Sequence, residues 1–230
     1  MTRALLLALA LAFASGAEAR IPAAETVARA AADANRAQGR SKALRFDVAV
    51  RTTPDSPPIA RGELLVDPAG HARAQLQHEE GFTERQLRSA SGLAAARDGE
   101  PLEDPHPLAP PLWLLQVATG GELLASLGAL GGSPTQIALG YDGARDCYVL
   151  GGKAAGASVW VDKETYQVAR VGLADGTQFR FLAWASRGGA ILPGTIEIAT
   201  PTLTFTLELT NPTVATPAAD AFTESWLSAP

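Results

Sequence analysis

The sequence is poor in cysteine, histidine, aromatic residues and charge. Of its 230 residues only Cys147 is a cysteine, so no disulfide can form within the chain and a hydrophobic core must stabilise the fold unaided. Cys147 lies between Asp146 and Tyr148 in a predicted strand with no histidine near it in sequence, which reads as a small buried hydrophobe, not a nucleophile. Charged residues make up 19% and the formal net charge is −5, without a block of five or six like charges. That excludes binding driven by electrostatic attraction to nucleic acid or an anionic membrane. The three histidines are His71, His78 and His106. The first two are seven apart, which on a strand puts them on opposite faces, so they share no metal and read as surface residues. No serine sits in a G-x-S-x-G elbow, and Gly151 to Gly156 lacks the phosphate-loop pattern and joins two strands. The expectation is a protein that is not an enzyme and holds no cofactor or metal.

Long apolar runs are also missing. The longest, Ala4 to Ala14, has eleven residues, against the roughly 20 that span a bilayer. With Arg3 before it and Ala17-Glu18-Ala19 after it, this run reads as a signal peptide, residues 1–19, cleaved after Ala19. No cysteine follows the run to carry a lipid anchor, so the product, residues 20–230, is expected to be free and soluble as one domain.

What is present is turn chemistry and alternation. Pro22 marks a helix start, with Glu25 to Arg40 as an alanine-rich helix presenting Val27, Ala31 and Ala34 on one face and Gly39 as its stop. Strands are then predicted at Leu44 to Arg51, Ala60 to Val66, Ala72 to His78, Thr83 to Ser89 and Leu93 to Arg97. Proline-rich Glu103 to Pro111 leads into a helical insert, about 107–131. There Leu112, Leu115, Leu123, Leu127 and Leu130 recur at helical spacing, with Gly120-Gly121 as a break. Strands resume at Gln136 to Tyr141, Cys147 to Leu150, Ser158 to Val161, Tyr166 to Val171, Thr177 to Trp184, Gly194 to Thr200 and Leu203 to Thr210. The fold class is mainly β (α+β), an antiparallel sheet with an N-terminal helix and a helical insert covering one face.

Alternation assigns the faces. Phe46, Val48 and Val50 share one parity against Asp47, Phe179 and Phe181 flank Arg180, and Phe205 and Leu207 flank Thr206. These sets should point at Trp113, Leu114 and Leu124 of the insert, with Leu64, Val66 and Leu76 on the neighbouring strands completing an apolar lining. A curved sheet with helices over its open side encloses either an apolar cavity or a filled core, and alternation alone leaves both open.

The phrase Gly62-Glu63-Leu64-Leu65-Val66-Asp67-Pro68 followed by Arg73, the strand-turn-strand Val161-Asp162-Lys163-Glu164-Thr165-Tyr166, Pro193 with Ile196, and Phe222 near the end occur in an order that resembles the LolA/LolB-like periplasmic lipoprotein carriers and sorting proteins of Gram-negative bacteria. The resemblance covers most of residues 24 to 226. It implies an unclosed half-barrel of about 11 strands whose concave face binds acyl chains. It also implies a soluble, monomeric periplasmic carrier of lipoprotein or lipid, moving cargo from an inner-membrane donor to an outer-membrane acceptor. The alternative is a cell-envelope interaction or sensor module with a filled half-barrel core. The family's soluble carrier has an arginine, implicated in fastening its helical lid, where this chain has Asp67, so that lock does not carry over.

Overall fold

A computed structural model describes residues 21–35, 42–143, 145–152, 156–187 and 190–228. The expected signal peptide and its cleavage site, Gly39 and the end of the predicted first helix lie outside these residues. The helix α1 (Ala24–Ala34) begins two residues beyond Pro22 and buries Val27, Ala28, Ala31 and Ala32. Five strands follow: β1 (Ala43–Arg51), β2 (Ala60–Asp67), β3 (His71–His78), β4 (Thr83–Ser89) and β5 (Gly92–Arg97), each hydrogen-bonded to the next as an antiparallel meander. A two-residue strand β6 (Glu100–Pro101) ends this half.

The second half contains β7 (Ser133–Tyr141), β8 (Asp146–Gly151), β9 (Ser158–Asp162), β10 (Val168–Gly172), β11 (Gln178–Leu182), β14 (Thr195–Ala199) and β15 (Thr204–Ala215). A separate hairpin of β12 (Ala185–Arg187) and β13 (Ala190–Leu192) interrupts it. The main sheet has thirteen strands in the order β6-β5-β4-β3-β2-β1-β15-β14-β11-β10-β9-β8-β7. It is unclosed, as expected. The strand count exceeds the expected one because β6, β12 and β13 are too short to carry an alternation signal.

The two sheet edges, β6 and β7, are consecutive in sequence, so residues 102–132 must travel from one edge to the other. They do so across the apolar face. The segment contains a 3-10 turn, Leu112–Leu115, with all four residues buried, and the helix α2 (Gly120–Ala129). Gly120-Gly121 starts this helix and does not break it. Thr119 is the N-cap and accepts from the Glu122 amide, while Glu122 Oε2 accepts from the Ala118 amide, a reciprocal cap that satisfies one of the first turn's orphan donors. The helices α1 and α2 touch through their backbones at Gly120, where a Cβ would come within 2.5 Å of the Arg29 nitrogen and 2.8 Å of the Ala28 carbonyl carbon.

The last strand runs past its expected end at Thr210. Asn211 takes φ +50° and the register shifts between Arg45 and Asp47, a bulge that accommodates Pro212 without breaking the pairing of Leu44 with Val214. Beyond it, residues 216–228 with the short helix α3 (Glu224–Leu227) lie on the convex face. There Leu227 packs on Leu87 and Ala96, and Arg73 donates to the Ala221 carbonyl while its guanidinium lies 4.6 Å over the Trp226 ring.

Candidate site on the concave face and its mouth

Cross-strand pairing lines up the inward side chains in rows. One row runs Phe205, Ile198, Phe179, Val171, Val159, Leu150 and Ile137, each directly opposite the next. Another brings Val50, Leu207, Ile196 and Phe181 together, and Phe46 faces Leu64 as Leu44 faces Val66. All thirteen residues expected to line the apolar face fall in one buried cluster: Phe46, Val48, Val50, Leu64, Val66, Leu76, Phe179, Phe181, Phe205 and Leu207 from the sheet, and Trp113, Leu114 and Leu124 from the insert.

Burial within that cluster bears on the choice between cavity and core. Val50, Leu64, Leu76, Leu114, Phe179, Phe181 and Leu207 have no water-accessible surface at all, so they line no void large enough for a water molecule. The interior is packed side chain to side chain at these seven positions. Phe205 at 6% and Leu124 at 8% are the most exposed of the thirteen.

The cluster opens at one end. Leu93, Leu130 and Leu173 are partly buried against it and line an open cleft of 640 Å³, whose walls include Arg88, Asp104, His106, Asp175, Thr177 and Thr202. The His106 ring lies 5.0 Å from that of Phe205, so the histidine sits over the phenylalanine at the mouth.

Polar side chains on one parity of β4 fasten the insert beside this mouth. Glu84, Gln86 and Arg88 pair across to Leu76, Ala74 and Ala72, so they point into the concave face, and all three are buried. Gln86 donates to Glu84 Oε1 and to the His106 carbonyl, and accepts from the Ala109 amide at 3.1 Å. Arg88 Nε donates to the Ala109 carbonyl at 2.6 Å. The Arg88 guanidinium also lies 5.4 Å over the Phe179 ring. Burial lowers its pKa to about 10, against the opposing pull of Asp175.

Sequence reasoning missed this clasp and misplaced one histidine. His78 is not a surface residue: its side chain is 12% exposed, 3.1 Å from Glu84 Oε2, and stacked on Phe82 at 4.1 Å. His71 is half-buried beside Asp67 and stacks on Phe222. Asp67 itself caps a turn by accepting from the Ala69 amide. Cys147 is buried, as expected, with its thiol pushed up to about 11 by burial and then by Asp142 and Asp162. Among the described residues, no group of three or more His, Cys, Asp or Glu side chains could hold a metal ion, and no helix is long and apolar enough to cross a membrane.

With this architecture, the chain matches a LolA superfamily protein from Nitrosomonas europaea over 90% of its own length and 100% of that chain, at a TM-score of 0.51 and 13% identity. The two chains share a fold. An outer membrane lipoprotein-sorting protein domain from Vibrio parahaemolyticus matches over the same 90% and 100%, at 11% identity and a TM-score of 0.49. No family model matches the sequence. No curated protein matches it either. At 13% identity the LolA-like likeness concerns the path of the chain, and the chemistry must be argued from the residues above.

Proposed function

We propose that this chain is a periplasmic carrier that binds acyl chains of a lipoprotein or lipid against its concave face, for transfer toward the outer membrane. In this reading residues 1–19 are removed on export, residues 20–230 act as a soluble monomer without enzymatic activity, and cargo arrives from an inner-membrane donor and leaves to an outer-membrane acceptor. The observation that carries it is an unbroken apolar row reaching a solvent-open mouth under an insert held there partly by side-chain-to-backbone hydrogen bonds.

Energetics support exchange in place of irreversible capture. The interior is packed, so cargo must replace contacts that Trp113, Leu114 and Leu124 make now, each worth about 1.5–3 kcal/mol for burial. An entering acyl chain returns about 0.8 kcal/mol per CH₂, so the two covers of the sheet are comparable. A carrier needs this near-balance in order to release cargo. The seven sealed side chains favour a second reading, a solid interaction or sensor module.

Titration of the full mature chain with a fluorescent acyl probe separates the two. Saturable binding, with altered hydrogen exchange in residues 104–116, is expected of the carrier. No binding at any probe concentration below its self-association limit would leave the solid module.

A further inference from the structure

Resting on that carrier reading, we infer that the mouth cleft selects cargo with an anionic head, a carboxylate or a phosphodiester, bound by the Arg88 guanidinium. Arg88 is 4% exposed and forms part of the cleft wall. Only its Nε donor is used by the protein, on the Ala109 carbonyl; among the described residues neither terminal nitrogen has a partner and no carboxylate pairs with it within 4.0 Å. Neither terminal nitrogen is among the sealed, unpartnered side-chain atoms, and Arg88 lines the cleft. A buried guanidinium presenting two parallel N–H groups to a space of this size is the geometry that receives a carboxylate or phosphate bidentately. The lowered pKa agrees with a cation whose burial is incompletely offset by protein charge, and at about 10 it remains protonated near neutrality.

The surrounding groups refine the ligand. Asp175, whose Oδ1 accepts from the Thr177 amide, and Asp104 lie on the same cleft, and both disfavour a doubly charged head. A singly charged head fits better. Leu93, Leu130 and Leu173 line the same cleft and pack on the core, so an acyl chain attached to an anion at Arg88 has an apolar surface leading inward. Arg88 therefore serves as both the insert's fastening, through Nε, and the sensor of its cargo, through its terminal nitrogens.

The test uses the full mature chain and four amphiphiles of equal chain length, displacing the fluorescent acyl probe: palmitate, hexadecanol, palmitoyl-lysophosphatidylglycerol and monopalmitoylglycerol. The carboxylate and the phosphodiester are expected to bind at least tenfold more tightly than their neutral counterparts. Arg88→Met should remove that preference, bringing the charged and neutral ligands of each pair to equal affinity. Arg88→Lys, which retains charge without the fork, should keep only part of it. Equal affinities of charged and neutral ligands in the unaltered chain, a measurement that needs no variant to fold, would overturn the inference and leave the carrier reading standing. Failure of all four to bind would sink the carrier reading itself. Tighter binding of one anion only, with the preference lost in Arg88→Met, would name the head group.

Discussion

Replacing Gln86 by methionine isolates the clasp from the rest of the core. Gln86 has no exposed surface, and its amide accepts from the Ala109 N–H while donating to Glu84 and the His106 carbonyl. Methionine has a similar reach but offers no amide oxygen to accept, so the N–H of Ala109, itself fully buried, is left unpaired. An orphaned buried donor costs about 1–3 kcal/mol, and each lost bond adds about 0.5–1.5 kcal/mol. A net weakening of about 2–4 kcal/mol falls on the contact between β4 and the insert. At 1.4 kcal/mol per factor of ten, local opening of the insert should rise about 30-fold or more. Native-state hydrogen exchange reads this directly, at the Leu112 and Gln116 amides, which bond within the insert to Pro110 and Trp113. These should exchange faster by that factor while amides of β9 and β11 keep their protection. Equal acceleration of insert and sheet amides would mean that the insert does not open separately, and unchanged exchange would mean that Gln86 does not fasten it.

Gly120→Ala should lower stability by about 1–3 kcal/mol through forced separation of α1 and α2, visible as a melting-temperature drop of about 2–12 °C by circular dichroism. Phe181→Ala, at a position with no accessible surface, should cost about 3–5 kcal/mol, whereas Phe205→Ala at the mouth should cost less and weaken acyl-probe binding. Equal losses at the two positions, without a ligand effect, would favour the solid module. The Cys147 thiol keeps its proton in the folded chain up to about 11, against about 9 in the unfolded chain. Folded protein then binds more protons across that window, so stability should fall as pH rises through it. Thiol labelling at pH 8 should also proceed only in denaturant.

Where alternation met a covered and an uncovered face, the sequence was readable. Phe46, Val48 and Val50, and Phe205 and Leu207, point inward as their parity indicates. β4 received no face assignment, because both of its faces are covered. Its apolar residue Leu87 packs outward under Leu227, while Glu84, Gln86 and Arg88 point inward. Parity alone makes such a strand look inverted. The signal that could have assigned it is cross-strand: a meander from β3 sets Gln86 opposite Ala74 and Arg88 opposite Ala72, on the side that Leu76 already marks as core. Gly120-Gly121 looked like a helix break because glycine is a poor helix former, yet Thr119 and Glu122 cap the turn that contains it. The hairpin of β12 and β13 has three residues per strand and offers no period to read.

The central claim is that the packed concave face exchanges its insert for an acyl chain. Native mass spectrometry of the chain purified without detergent from its own compartment tests this most directly. The account predicts a population heavier by one acyl-bearing molecule per chain, returned to the protein mass by organic extraction, with the extract containing a singly charged amphiphile. A single species at the bare protein mass, from a preparation that also takes up no added acyl probe, would contradict it.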